Sequence, residues 1–291
     1  LAEWTIKAIL DWTKGYFEEK GVPSPRLDAE LLLGEVLAMR RLDLYLNFDK
    51  PLQKDELQRY RVMVKRRSKR EPLQYILGKT EFYSLELQVG PGVLIPRPET
   101  EILVDLALKT VRAQPISDQP LRILDIGTGS GAISIALAKE LPESEIIGVD
   151  ISAPALVIAR ENVARHELND RVHLLQSNLF GALTGPKFQL IVANPPYIKE
   201  GDGPSLMPEV RDFEPASSLF GGPDGLKFIR AIMTAAPAYL APAGSLILEI
   251  GHDIAAGVRA EAELLGNHFQ APEFFNDLGG LARIVRLTLK K

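Results

Sequence analysis

The sequence predicts an α/β protein: a mostly parallel sheet covered by helices on both faces, preceded by a small all-helical domain. Three observations predict it. From Leu121 onward, short apolar runs alternate with stretches of helical spacing, which is the signature of strands and crossover helices. The first eighty residues show helical periodicity and no strand pattern. Between the two lies Gly78 to Ile95, where short two-residue alternation reads as a hairpin.

In chain order, Ile6, Ile9, Leu10 and Phe17 recur at helical spacing until Gly21-Val22-Pro23 stops the pattern. Ala2 to Lys20 therefore reads as an amphipathic helix with acids and lysines, not as a signal peptide, and Leu1 in place of Met fits a trimmed N-terminus. Ser24-Pro25 opens a second helix through Leu27, Leu31, Leu32 and Val36, since proline is tolerated in a first turn. A third runs from Lys54 to Arg70 with no Gly or Pro, ending in the basic cluster Lys65 to Arg70. Thr80 to Tyr83 and Leu85 to Val89 read as strands, with Gly90-Pro91-Gly92 as a turn, and Leu94 to Glu101 leads into a helix through Val111. Buried strands are expected at Arg122–Ile126, Ile146–Val149, Val172–Leu175, Leu190–Ala193 and Ser245–Ile250, with a final strand over Ala282–Leu287. Helices are expected near Ala132–Glu140, Ala153–His166, Leu226–Leu240 and Ile254–Leu265, and Gly201–Pro223 is the longest irregular stretch.

Composition narrows the function classes. The 46% hydrophobic and 25% charged content over 291 residues is that of an ordinary globular chain with one large domain and a small one. No run approaches the ~18 apolar residues of a membrane span, so no membrane partner is expected. The absence of cysteine excludes disulfides, thiolate metal sites and a Cys nucleophile; it fits a reducing, cytoplasmic setting, and no metal site is expected. The net charge of −4 hides an asymmetry: residues 1–80 carry 16 Lys+Arg against 12 Asp+Glu, and the rest carry 18 against 26. A basic N-terminal part can face an acidic partner or nucleic acid, or simply be a solvated helix face.

Gly127, Gly129 and Gly131, in the run Asp125 to Gly131, follow a strand and open a helix. Glycines there allow a tight turn and close approach of backbone to a ligand, and the helix amides beyond favour a phosphate or carboxylate. Asp150 ends the next strand, 23 residues after Gly127, where an acid accepts hydrogen bonds from ribose hydroxyls; it reads otherwise as a helix cap. A dinucleotide fingerprint wants its third glycine three positions after the second, where Ala132 stands, so Thr128, Ser130 and the three glycines better suit S-adenosylmethionine. Asn178-Leu179-Phe180, after the third strand, is the expected place for adenine contacts, or an ordinary turn with Phe180 in the core.

Asn194-Pro195-Pro196-Tyr197 follows the fourth strand, and open α/β sheets bind ligands at such carboxyl ends. Two prolines restrict the backbone and fix the direction of its carbonyls. A planar NH₂ has two donors, one for the Asn194 side-chain oxygen and one for the Pro195 carbonyl. That arrangement turns nitrogen lone-pair density toward an electrophilic methyl group, with Tyr197 packing on the flat substrate group. Catalysis is then alignment and charge stabilisation, with no general base demanded. His166, His173, His252 and His268 sit in no motif and read as structural or exposed.

The chain resembles the PrmC/HemK family of release factor glutamine N5-methyltransferases over essentially its whole length. The resemblance rests on Arg70 to Gly78, on Leu94 to Glu101, on Asp125 to Gly131, and on Asn194 to Ile198. The Asn-Pro-Pro-Tyr motif is shared with adenine-N6 methyltransferases; the Ile95 to Glu101 segment is much more specific. The resemblance implies a class I S-adenosylmethionine-dependent methyltransferase: a Rossmann-like, mostly parallel seven-stranded sheet over residues 97–291. It also implies a helical substrate-recognition domain over residues 1–78 and a β-hairpin linker over 79–96. It further implies methyl transfer to the glutamine amide in the Gly-Gly-Gln loop of peptide chain release factors, with S-adenosylhomocysteine as product. Gly127 to Gly131 would hold the methionine part, Asp150 the ribose, Asn178 and Leu179 the adenine, and Asn194 with its prolines the glutamine amide. The family often has an acid where Asn178 stands, and some members an aromatic where Leu179 stands.

Arg97 is open between a cofactor carboxylate, the incoming protein loop and a salt bridge to Glu99 or Glu101; Glu249 is open between the site and a helix cap. A monomer without stable nucleic-acid binding is expected. The rival is an adenine-N6 methyltransferase on DNA or RNA, with Lys65 to Arg70 on phosphate, which the acidic remainder of the chain disfavours. A non-catalytic assembly protein is the third possibility, against which the intact glycine and Asn-Pro-Pro-Tyr loops argue.

Overall fold

A computed structural model describes residues 4–113, 120–185 and 187–291, so the first two residues of the helix expected from Ala2 lie outside the described residues. Residues up to Lys79, together with Met207–Phe213, form one compact unit; Thr80–Leu206 and Glu214–Lys291 form the other. Among the described residues, no helix is long and apolar enough to cross a membrane.

The first unit contains α1 (Ile6–Glu19), α2 (Pro25–Leu37), α3 (Arg41–Leu46), α4 (Lys54–Arg67) and α5 (Leu73–Leu77). Thr5 caps α1 through its hydroxyl, which accepts from the Ala8 amide. The expected positions Ile6, Ile9, Leu10 and Phe17 are all buried, against Leu32, Leu33, Tyr60 and Val64. The short helices α3 and α5 went unread, because six and five residues are too few to establish a period. The third expected helix ends at Arg67 rather than Arg70, and Arg70 itself has a φ of 69°.

β1 (Lys79–Phe82) and β2 (Leu85–Gln88) form the hairpin. Its reversal is at Tyr83-Ser84, with φ of 51° and 59°, a two-residue turn made without glycine. The Tyr83 amide donates to Glu101 at 2.8 Å and its hydroxyl to Asp105 at 2.9 Å, which holds this turn on α6 (Thr100–Arg112). Gly90-Pro91-Gly92 forms the expected turn, with the Val93 amide donating to the Gly90 carbonyl at 3.3 Å, but it follows the hairpin rather than closing it.

There follow β3 (Leu121–Ile126), α7 (Ala132–Glu140), β4 (Ser144–Asp150), α8 (Ala153–Arg165), β5 (Val172–Gln176) and β6 (Phe188–Ala193). After α9 (Pro208–Phe213), which belongs to the helical unit, come α10 (Lys227–Ala235), β7 (Leu240–Glu249), α11 (Ala255–Leu264), β8 (Glu273–Asn276) and β9 (Ala282–Thr288). The strands form one seven-stranded sheet in the order β5-β4-β3-β6-β7-β9-β8. β5 through β7 run parallel, β9 lies antiparallel to β7, and β8 antiparallel to β9. This is the class I methyltransferase fold. Alternate residues of each strand point to opposite faces. Ile123, Ile146, Leu190, Val192 and Ile247 pack under α6 and α7, while Leu124, Val149, Ile191, Leu246 and Leu248 pack under α10 and α11.

The order fixes where a ligand goes. The chain winds outward from β3 to β4 and β5, then returns to β6 on the other side of β3. Loops leaving β3 and β6 therefore diverge, and a crevice opens at their carboxyl ends.

Candidate active site

A cavity of about 360 Å³ occupies that crevice. Among the expected site residues, Gly127, Gly129, Asp150, Asn178, Leu179, Asn194, Pro195 and Pro196 line it. Thr128, Ser130, Gly131 and Tyr197 do not. Four strand ends thus contribute to one space.

The glycine loop is held from below. Asp125, fully buried, accepts from the Thr128 hydroxyl at 2.7 Å and the Ser134 hydroxyl at 2.6 Å. Burial pushes its carboxyl up to about 6, and its other oxygen has no partner. The Gly127 and Thr128 amides both donate to the Val149 carbonyl, at 2.8 and 3.0 Å, and the Gly131 amide donates to Thr128 at 2.8 Å. The Gly129 amide donates to Asp150 at 2.9 Å. These four amides are thus satisfied inside the protein. What the loop offers is room: Gly127 has a φ of 74°, and a Cβ there would enter open space within the cavity.

Asp150 lines the cavity and does not cap α8, whose N-cap is Ser152, accepting from the Ala155 amide at 3.2 Å. One carboxylate oxygen takes Gly129, the other takes the Ser152 amide at 2.8 Å, and lone pairs remain for hydroxyls in the cavity. Asn178 is exposed and Leu179 half-buried at the wall, whereas Phe180 is in the core, stacked on Tyr239 at 4.5 Å. The apolar wall of Ile126, Val149, Ile151 and Leu179, beside the Asp150 carboxylate, fits a nucleoside.

The Asn194 amide nitrogen donates to the Thr100 hydroxyl at 3.1 Å, and that hydroxyl donates to Glu249 at 2.6 Å. The Tyr197 hydroxyl donates to the other Glu249 oxygen at 3.3 Å. Glu249 is 2% exposed and Thr100 4%. Burial holds the Glu249 carboxyl above its ordinary range and raises the Tyr197 phenol further, with the neighbouring carboxylate adding to the latter. Tyr197 is not among the residues lining the cavity, and its hydroxyl is engaged by Glu249. Glu249 backs the site rather than capping a helix. Arg97 pairs with neither Glu99 nor Glu101: it donates to buried Glu214 at 2.6 Å.

Three supports escaped sequence reasoning. Gly92, Val93 and Leu94 line the cavity, and Leu94 immediately precedes the Ile95 to Glu101 segment. Asn162, fully buried, accepts from the Gln88 amide at 2.7 Å and donates to the Gln88 and Ser130 carbonyls at 3.0 and 2.8 Å, tying the glycine loop to β2. Leu219 to Gly225 backs the Asn-Pro-Pro-Tyr loop: Ile198 donates to Leu219 at 2.9 Å and accepts from Gly221 at 2.8 Å. The pair of glycines in Gly221-Gly222-Pro223-Asp224-Gly225 was the available signal.

A family model for the PrmC N-terminal domain matches residues 8–78, and one for the methyltransferase small domain matches 104–208. The release factor glutamine methyltransferase of Geobacter sulfurreducens is 50% identical over 85% of this chain and 84% of its own. That of Rhodopirellula baltica is 41% identical over 98% of this chain and 96% of its own. Two solved structures share the fold. The hMettl16 catalytic domain, bound to a MAT2A 3′UTR hairpin, has a TM-score of 0.58 at 14% identity, covering 84% of this chain and 86% of its own. A methyltransferase from Pyrococcus furiosus has a TM-score of 0.53 at 18% identity, covering 72% and 91%.

Proposed function

We propose a reaction for this chain from its family and its site: it belongs to the release factor glutamine methyltransferase family, and its cavity ends on an asparagine whose oxygen is left for a ligand. The chain moves a methyl group to the side-chain amide nitrogen of the glutamine in the Gly-Gly-Gln loop of a peptide chain release factor. S-adenosylmethionine, when bound, would supply a methyl group already activated on a sulfonium. As the N–CH₃ bond forms the S–CH₃ bond would break, S-adenosylhomocysteine would leave with the bonding pair, and the methylated nitrogen would release one N–H proton to water.

The residues of the chain then bind, orient and exclude water. Asp150 accepts ribose hydroxyls, Gly127 and Gly129 let the methionine part lie against backbone, and Asn178 with Leu179 borders the adenine. Asn194 carries the reading, because its amide nitrogen is engaged by Thr100 and its oxygen is therefore the end presented to the cavity. That oxygen and the Pro195 carbonyl take the two N–H groups of the glutamine amide and turn its lone pair toward the methyl group. The helical unit helps grip the release factor, and the substrate puts the enzyme in the cytoplasm.

Mass spectrometry of a release factor incubated with the protein and S-adenosylmethionine tests this. One added methyl group on the Gly-Gly-Gln glutamine is expected, with Asn194→Ala retaining cofactor binding and losing about 100-fold or more in turnover. Methylated adenine in nucleic acid, with no methylated release factor, would refute it.

A further inference from the structure

We propose that Thr100 and Glu249 are positioning residues that decide which end of the Asn194 carboxamide meets the substrate. The inference rests on the reaction proposed above. A carboxamide is nearly symmetric in shape, so shape alone does not tell Asn194 which way round to sit. Only one orientation works: with its oxygen inward Asn194 accepts an N–H, and with its nitrogen inward it opposes another donor.

Proton bookkeeping along the chain selects the orientation. An ionised carboxylate only accepts, so the single Thr100 proton goes to Glu249, across 2.6 Å. The Thr100 oxygen then offers only lone pairs toward Asn194, which must present its NH₂ at 3.1 Å and leave its oxygen to the cavity. Tyr197 occupies the second Glu249 oxygen, and both Glu249 and Thr100 are closed to solvent, so water does not substitute for any link.

The direction reverses if Glu249 is protonated. The acid then donates to Thr100, Thr100 donates to the Asn194 oxygen, and the amide nitrogen turns inward. Four groups bear on Glu249: the Thr100 hydroxyl from α6, the Tyr197 hydroxyl, the Glu99 carboxylate just before α6, and the Arg283 guanidinium on β9. Burial dominates them and raises its pKa above the ordinary 4.5. Turnover is thus full above that raised value and falls as pH drops through it. The acid limb begins higher than an exposed glutamate would give. Glu249→Gln imitates the protonated state in carrying a donor at every pH: with its NH₂ toward Thr100 it reverses the chain as the acid does, and in neither orientation does it titrate.

The experiment measures kcat, KM and the pH profile for release factor methylation in wild type, Thr100→Val, Thr100→Ser and Glu249→Gln. S-adenosylhomocysteine binding by calorimetry serves as the check on folding. We expect kcat to fall about tenfold or more in Thr100→Val and Glu249→Gln with KM and cofactor affinity changed little, as for loss of a charge-backed hydrogen bond. Thr100→Ser recovers most of that loss, and Glu249→Gln loses the acid limb. With wild type active, kcat within twofold in both variants, a Thr100→Ser as slow as Thr100→Val, or an acid limb kept in Glu249→Gln overturns the assignment. If Glu249→Gln does not fold, Thr100→Val against Thr100→Ser decides. A wild type that methylates no release factor overturns the proposed reaction and this assignment with it.

Discussion

Replacing Gly225 by alanine tests whether the Asn-Pro-Pro-Tyr loop is held by close backbone packing behind it. Gly225 has a φ of 76°, and a Cβ there would fall inside van der Waals contact of the Tyr197 carbonyl oxygen, with Ile254 Cγ2 at 3.2 Å on another side. Neither neighbour is the free end of a flexible side chain, so the backbone of the Asn-Pro-Pro-Tyr loop has to move. Gly280 supplies the control: its φ is 80°, but a Cβ there meets nothing within 4 Å. Both substitutions carry the left-handed penalty of about 1–2 kcal/mol. Only Gly225→Ala adds overpacking, about 1–3 kcal/mol. The expected difference is therefore about 2 kcal/mol in stability by denaturant unfolding. In methylation assays Gly225→Ala should also lose about tenfold or more in kcat, since a shift of about 1 Å at a reacting group costs up to about 100-fold. Gly280→Ala should turn over normally. Equal destabilisation and equal turnover in the two variants would refute the packing argument.

Asp150→Ala removes the acceptor for two backbone amides as well as any ribose contact, and should weaken S-adenosylhomocysteine binding by about 10- to 100-fold in calorimetry. In the helical unit, Glu209 takes Arg70 at 2.6 and 2.7 Å and the buried Arg67 at 2.9 Å, while Asp28 takes Arg67 at 2.7 Å. Glu209→Gln should cost about 2–3 kcal/mol, less than the loss of a sole partner because Asp28 remains. Burial alone would raise the Glu209 pKa, but Arg70 and Arg67 bring it below the ordinary 4.5. Its contribution is therefore present above 4.5 and lost as pH falls, so the gap between Glu209→Gln and wild type should narrow in acid. Asp28, raised above 3.8 by burial, runs the other way, and is common to both proteins in that comparison.

What the sequence made legible was whatever has a period or a tight local rule. Ala132–Glu140 was readable as α7 to the residue, and Ala153–His166 as α8 within one, because proline, serine and glycine mark their ends. β8 was not: Glu273–Asn276 is a four-residue edge strand with two half-buried phenylalanines, too short to show alternation. β7 begins five residues before its expected start, since Pro242 and Gly244 look like breakers but sit in a bulged stretch of the strand. Within the site, the placement of Gly127, Asp150 and Asn194 around one cavity was legible because it follows from strand-end position. The partners of Arg97 and Asn194 were not, because Glu214 and Thr100 are 117 and 94 residues away and only the packed fold brings them near.

Glu249 explains why a buried carboxylate is worth keeping behind a reaction that needs no base. Burying a lone charge costs several kcal/mol, and two hydrogen bonds from neutral hydroxyls offset only part of that. A hydrophobic residue at this strand end would make a more stable sheet. What it would not do is polarise Thr100 and, through it, the Asn194 amide. As an amide nitrogen becomes bonded to a fourth group, positive charge grows on it, and the Asn194 oxygen is the acceptor proposed to face that charge. Its dipole is backed through two successive hydrogen bonds, of 3.1 and 2.6 Å, by a full negative charge in a region closed to water, where such a field is least screened. The charge is fixed before substrate arrives, so no reorganisation is needed during transfer. The stability given up at Glu249 is thus the energetic counterpart of an asparagine that is both oriented and polarised.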